Sequence, residues 1–304
     1  MFTVSPFRWL RTRFGSLSPS AEPEVPRSSS GIATSSTQEQ LPDFNLFILG
    51  CGRSGTSLAA GLFRNCGFFM GDELYPPRQS NPKGFFEDPA VNGVNEELLS
   101  RSLPNRGISI TNPYGYDIPE TGHRWLARLP INHTIEANAA EITKITALTA
   151  RTPFCFKDPR FCYTLDVWRK LSERSKFICV FRNPAAFVGS VFQECLAASY
   201  LHDFAVSVSQ MYEVWESMYS HVLERHSLSG DWLFIEYDHL LTSAGIDAVS
   251  HFTGLSVDAS FPDASLNRTH GYLSIPRTTM IIYDRLRAKG VQAGGYSTRA
   301  PATI

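Results

Sequence analysis

Residues 44–57, Phe-Asn-Leu-Phe-Ile-Leu-Gly-Cys-Gly-Arg-Ser-Gly-Thr-Ser, constrain the fold more than any other stretch of the chain. Apolar residues at 44 and 46–49 predict a buried strand, and Gly50, Gly52 and Gly55 a tight loop. Leu58-Ala59-Ala60-Gly61-Leu62-Phe63 then has the composition of a helix packed on a sheet. A strand, a glycine loop and a helix start make an anion cradle. Loop amides and the positive end of the helix dipole converge there, and glycines let an oxyanion come close. The cation narrows the chemistry. A nucleotide-kinase loop, G-x-x-x-x-G-K-[ST], places lysine directly after its second glycine. With Gly50 and Gly55 in those places that position is Thr56, and the loop's only cation is Arg53. The loop suits a phosphate-like group but is not built like that of an ATPase.

Beyond this loop, strand-like runs alternate with helical patterns. Strands are predicted over 152–157, 176–182 and 231–236, and helices over 89–102, 123–150, 161–173, 184–198 and about 202–227, with short helices completing the chain. The stretch up to about 88 reads as irregular. Such alternation predicts an α/β fold, a parallel sheet flanked by helices, with ligands bound beyond the carboxyl ends of the strands. Gly50, Lys157 and Arg182 all fall at predicted strand ends, so Arg53, Lys157 and Arg182 are expected to converge in one crevice.

Gly52-Arg53-Ser54-Gly55-Thr56-Ser57 resembles the 5′-phosphosulfate loop of sulfotransferases, in which Lys or Arg precedes Ser-Gly-Thr. Those enzymes move a sulfuryl group from 3′-phosphoadenosine 5′-phosphosulfate (PAPS) to an acceptor. A second element resembles the family's 3′-phosphate site, an arginine at a strand end followed eight residues later by a helical serine; Arg182 and Ser190 stand at that spacing. Pro184 between them suits a helix's first turn. Lys157 matches the lysine that ends a further strand in cytosolic members, but their histidine two residues on is replaced by Pro159. The resemblance is therefore to the bacterial or carbohydrate-type branch, in which a glutamate after the first helix serves as base. Glu73 and Glu87 are the candidates, with Glu87 preferred because Pro82, Gly84, Phe85 and Phe86 form a constrained, partly buried turn around it. The other reading of Glu87 is a helix cap. Leu233 to Leu241 resembles the segment whose tyrosine, here Tyr237, approaches the adenine. Leu58 stands where cytosolic members stack an aromatic residue, and no Arg-Lys-Gly triplet closes the chain; residues 285–290 offer a basic stretch that also reads as a solvated helix end.

The resemblance spans about residues 44–255 and implies a PAPS-dependent sulfotransferase using no metal, with adenosine 3′,5′-bisphosphate as product. Arg53 and the loop from Gly52 through Ser54, Gly55 and Thr56 to Ser57 would bind the 5′-phosphate. Arg182 and Ser190 would bind the 3′-phosphate, and Lys157 would meet the sulfuryl oxygens. A P-loop small-molecule kinase and a non-catalytic nucleotide-binding protein of the same fold are the alternatives. The accepting group is expected to be a hydroxyl, with an amine as the second choice, and the acceptor class is open among small molecules, carbohydrates and lipids. Residues 71–125, with Tyr75, Pro76, Pro77, Arg78, Asn112, Tyr114, Tyr116 and Trp125, are its expected wall.

With 28 basic and 29 acidic residues the 304-residue chain offers no general electrostatic case for nucleic acid. Residues 1–40 read as a disordered leader before a single α/β domain over 41–304, since Ser16 to Gln40 is rich in Ser, Pro, Thr and Glu. Within it, residues 2–14 mix Phe, Trp and Leu with Arg8, Arg11 and Arg13. This pattern fits peripheral membrane contact, a targeting remnant or plain leader. No apolar run approaches the length of a membrane span. Six cysteines without a C-x-x-C pair or His/Cys cluster fit buried, reduced thiols in a cytoplasmic protein.

Overall fold

The computed structural model describes residues 41–102, 122–201, 206–269 and 271–292. The expected leader over 1–40 lies outside the described residues, as do Asn112, Tyr114 and Tyr116. Four parallel strands, β1 (Asn45–Leu49), β2 (Cys155–Lys157), β3 (Ser175–Phe181) and β4 (Asp231–Glu236), pair in the order β2-β1-β3-β4. Described helices are α1 (Thr56–Gly61), α2 (Pro89–Ser102), α3 (Ala139–Thr149), α4 (Phe161–Arg169), α5 (Pro184–Ala197), α6 (Val208–Glu224), α7 (Tyr237–Leu240), α8 (Ser243–Thr253) and α9 (Arg277–Gln292). None is long and apolar enough to cross a membrane.

Strand side chains alternate between two cores, as the period-2 geometry of a strand requires. Phe47, Leu49, Phe177, Cys179, Phe181 and Phe234 enter one, with Phe161 and Trp168 of α4 and Met211, Trp215 and Met218 of α6. Leu46, Ile48, Ile178, Val180, Leu233 and Ile235 enter the other, with Ala59 and Ala60 of α1 and Val249 of α8. Phe47 meets the rings of Phe154, Phe161 and Phe177 at centroid distances of 5.2, 5.2 and 5.8 Å. Each fully buried phenylalanine contributes about 1.5–3 kcal/mol through apolar burial. Because both faces are covered, the strands read as continuous apolar runs rather than alternating ones.

Three expectations need correction. The helix expected over 123–150 is a 3-10 turn at Arg124–Leu126, an irregular stretch, and α3. Pro130 cannot donate to a helix ladder, and Asn138 starts α3 with a capping box: Glu141 N donates to Asn138 Oδ1 (2.9 Å) and Asn138 N to Glu141 Oε2 (2.8 Å). α6 begins at Val208, where Ser207 and Gln210 form a second such box; the expected start at 202 falls outside the described residues. The C-terminal part holds a 16-residue helix, α9, rather than short ones only. Its sequence is mostly polar, and the apolar contacts come from few residues, among them Tyr283 and Leu286, both buried against the larger core.

The chain leaves β1 for β2 on one side and then returns across β1 to β3 on the other. The β1–β3 boundary is therefore the switch point, where a crevice opens beyond the strands' carboxyl ends. The glycine loop follows β1, and Arg182 follows β3.

Candidate active site

At the switch point lies a cavity of about 800 Å³, lined by the loop, Lys157, Arg182, Ser190, Tyr237 and Glu87 among others. The loop's glycines answer to close approaches. A Cβ on Gly50 would stand 2.0 Å from the carbonyl oxygen of Val180 in β3, one on Gly52 2.5 Å from the Trp125 ring, and one on Gly55 2.3 Å from the Tyr237 ring. Gly55 also takes φ 94° at the N-cap of α1, a conformation that favours glycine. Arg53 itself sits at φ 69°. Gly50→Ala is expected to lower stability by about 2–5 kcal/mol, because the neighbour is backbone and cannot swing away; a urea denaturation midpoint indistinguishable from wild type would refute this.

The expected residues fall into three groups. In the first, Arg53 Nε donates to Ser190 Oγ (3.3 Å), Nη2 donates to the Ser80 carbonyl (3.2 Å), and Nη1 stands 3.2 Å from Glu194 Oε2. Ser80 Oγ donates to Glu194 Oε1 (3.2 Å). Glu194, 2% exposed, was not expected. Its position four residues after Ser190 puts it on the same face of α5, and that spacing was the available signal. Arg53 therefore reaches toward α5 rather than toward Lys157.

In the second group, the Lys157 ammonium forms an ion pair with Glu87 and donates to Ser57 Oγ at 3.2 Å. Ser57 Oγ donates to the Phe85 carbonyl (3.1 Å) and accepts from Asn81 Nδ2 (3.1 Å), so the 81–87 turn is tied to the first turn of α1. Phe86 at φ 54° and Gly84 at φ 96° make the bend that aims Glu87 inward. Tyr75 N donates to the Glu87 carbonyl (3.0 Å). Capping of α2 belongs to Asp88, whose Oδ1 accepts from Ala90 N (2.6 Å) and Val91 N (3.1 Å). Glu87 thus lines the cavity without capping the helix, whereas Glu73 is exposed and stands outside the cavity lining.

In the third group, Arg182, 5% exposed, donates through Nη2 to Asn267 Oδ1 (2.6 Å) and to the Thr269 carbonyl (2.9 Å), and lies over the Tyr237 ring at 4.4 Å. Its Nε is buried with no partner, and no carboxylate pairs with it among the described residues. Burial pulls its pKa below the ordinary arginine value and pushes the Tyr237 phenol above its own. Asp238 lies near enough to favour the charge but forms no ion pair with it; a buried cation without a directly paired carboxylate is costly, and a bound anion would relieve that cost. Asp238 does not cap α7; it accepts from Asn267 Nδ2 (3.2 Å).

Pro159, where cytosolic relatives of the resemblance carry histidine, lines the cavity and offers no titratable group. Beneath it, Asp158 accepts from Asn92 (2.7 Å), Asn95 (2.8 Å) and Arg160, and Arg160 pairs with Glu96 (2.6 Å). Burial works against the Arg160 charge, but Asp158 and Glu96 outweigh it and hold the pKa above the usual value. The basic stretch at 285–290 stays on α9: Arg285 pairs with Glu224 (2.9 Å) and Arg287 with Glu236 (3.8 Å), and none of it lines the cavity. Arg268, next to the Arg182 partners Asn267 and Thr269, lines it instead. Tyr75, Arg78 and Trp125 of the expected acceptor wall are at the cavity; Pro76 and Pro77 are not among its lining residues.

Among curated proteins nothing matches the chain. A family model described as the sulfotransferase family matches residues 45–258, from the first residue of β1 to beyond α8. That span takes in the glycine loop, Glu87, Lys157, Arg182, Ser190 and Tyr237, and is more than half of the 304 residues. The chain belongs to the sulfotransferase family.

Proposed function

We propose that the protein transfers a sulfuryl group from PAPS to a hydroxyl of a small-molecule, carbohydrate or lipid acceptor. The observation that carries this reading is Arg182: a buried guanidinium without a carboxylate partner among the described residues, in one cavity with the glycine loop. ATP carries its phosphates only in the 5′ chain, which the glycine loop would hold, whereas PAPS has a separate 3′-phosphate for Arg182.

The donor supplies an activated sulfuryl group whose leaving group is a phosphate oxygen. The loop amides from Gly52 to Ser57 and the N-terminus of α1 hold the 5′-phosphate. Arg182 and Ser190 hold the 3′-phosphate, and Tyr237, stacked on Arg182, flanks the adenine. Arg53 stands between the loop and Ser190, the elements assigned to the two phosphates. Lys157 neutralises charge that grows on the sulfuryl and bridging oxygens, and Glu87 takes the proton from the acceptor hydroxyl. Arg53, Lys157 and the loop amides do the work that magnesium does in kinases, so chelation by EDTA should leave turnover unchanged. Six cysteines, four of them buried in the apolar core, support a reducing, cytoplasmic setting.

Calorimetric titration with adenosine 3′,5′-bisphosphate against ATP tests the donor. Micromolar or tighter binding of the bisphosphate, and binding of ATP at least about a hundredfold weaker, is the expected result, since charge-assisted bonds to the 3′-phosphate contribute about 1.5–3 kcal/mol each. Tighter binding of ATP with magnesium would favour the kinase reading. Bisphosphate binding with no turnover of any acceptor would favour a non-catalytic nucleotide-binding protein.

A further inference from the structure

We infer that Arg78 is an anion-binding position for the acceptor, so that the acceptor is a hydroxylated molecule carrying a carboxylate or sulfate; this rests on the donor reading above. The cations that line the cavity differ in how they are balanced. Arg53 faces Glu194, Lys157 faces Glu87, Arg160 faces Asp158 and Glu96, and Lys83 stands 3.9 Å from Asp263. Arg182, Arg268 and Arg78 have no carboxylate partner among the described residues. The first two belong to the β4 side of the cavity, with Tyr237, Asn267 and Thr269, where the nucleotide is assigned.

Arg78 stands apart from them. Its guanidinium lies 5.7 Å from the Phe85 ring and 5.6 Å from the Tyr200 ring. Phe85 precedes Glu87 by two residues, and its carbonyl accepts from Ser57, which Lys157 also contacts; this is the β2 side, where the acceptor oxygen must arrive. Tyr200 joins the Trp125 side through its carbonyl, which accepts from His123 Nε2 at 2.6 Å. The two ring faces hold a guanidinium in place without neutralising it.

The turn that carries Arg78 is itself anchored on the reacting centre. Arg78 and Asn81 exchange backbone bonds (3.2 and 2.9 Å), the Ser80 carbonyl accepts from Arg53, and Asn81 donates to Ser57. An anion docked on Arg78 is therefore set at a fixed offset from Glu87 and Lys157. The remaining groups on this side suit hydroxyls. Tyr75 and Tyr200 remain neutral phenols, the Tyr200 pKa pushed up to about 12 chiefly by burial and by the neighbouring Glu194. The exposed Arg78 guanidinium, close to two rings, keeps N–H donors for a carboxylate or sulfate, groups that arginine recognises in two-point fashion.

The test uses the full chain saturated with adenosine 3′,5′-bisphosphate and three matched probes: 4-nitrophenyl β-glucoside, its glucuronide and its 6-sulfate. Ligand-observed NMR reads their affinities for wild type, Arg78→Gln and Arg78→Lys. We expect the glucuronide, the 6-sulfate or both to bind about ten- to a hundredfold more tightly than the glucoside. Which anionic arm is favoured tells carboxylate from sulfate. In Arg78→Gln the preference disappears, in Arg78→Lys part of it returns, and bisphosphate affinity stays at the wild-type value. Equal binding of all three probes, binding of none, or a preference that survives Arg78→Gln would overturn the inference. So would weaker bisphosphate binding in Arg78→Gln, which would assign Arg78 to the donor. A wild-type protein that fails to bind the bisphosphate at all is a different result, and it sinks the donor reading instead.

Discussion

Glu87→Gln is expected to lower kcat by about 10²–10⁴-fold at saturating donor, the range in which a positioned general base contributes. It should also lower the melting temperature of the ligand-free protein. The Lys157 side chain is 1% exposed and loses its ion-pair partner, and breaking a buried pair costs about 3–5 kcal/mol. The two effects separate by design. Turnover is measured well below the melting transition with bisphosphate-stabilised protein as the folding control, so lost stability does not pass for lost chemistry. Lys157→Ala should also reduce kcat more than it raises the donor KM, because its charge acts on oxygens that become more negative in the transition state. Removing both charges together, as Lys157→Met with Glu87→Leu, should restore much of the stability while leaving the protein inactive. A Glu87→Gln protein that melts early yet turns over at the wild-type rate would reduce Glu87 to a counter-ion for Lys157. Helix capping cannot account for such a result, since Asp88 fills that role.

Arg182→Ala is expected to weaken adenosine 3′,5′-bisphosphate binding about ten- to a hundredfold, the value of one or two charge-assisted hydrogen bonds. Adenosine 5′-phosphosulfate lacks the 3′-phosphate and should lose only the smaller part that comes from stacking, about two- to fivefold. That residual loss is built into the geometry, because the guanidinium also covers the Tyr237 ring at 4.4 Å. Arg182→Lys keeps the charge but not the planar face, so it should recover part of the bisphosphate affinity. Equal losses for the two nucleotides would remove Arg182 from the 3′-phosphate and leave it as a support for Tyr237.

Much of this arrangement was legible one segment at a time. The apolar run ending at Leu49, the glycines at 50, 52 and 55, and the eight residues from Arg182 to Ser190 are local patterns. Backbone geometry turns such patterns into a strand, a loop and a helix face with little help from the rest of the chain. Strand ends were equally legible, and a parallel sheet gathers strand ends on one side, so Arg53, Lys157 and Arg182 line one cavity as expected, although Arg53 turns toward α5. The helix over 123–150 was overread because a long mixed segment has helical composition, while one proline and one capping box decide where the helix begins. What the sequence by itself could not determine is which charge faces which. Lys157 meets Glu87 from 70 residues away, Arg53 meets Ser190 from 137, and Arg182 meets Asn267 from 85. Those pairings are set by how the 71–88 stretch and the segment after α8 fold back over the sheet, and irregular backbone carries no periodicity from which to predict that path. The sequence determined the strands, the glycine loop and the chemistry they can support; only the tertiary structure decided that Glu194 holds Arg53, that Asp88 rather than Glu87 caps α2, and that Arg182 and Arg78 are left, among the described residues, without a carboxylate ion pair. Spacing along a chain orders neighbours, while electrostatic balance depends on distance in space.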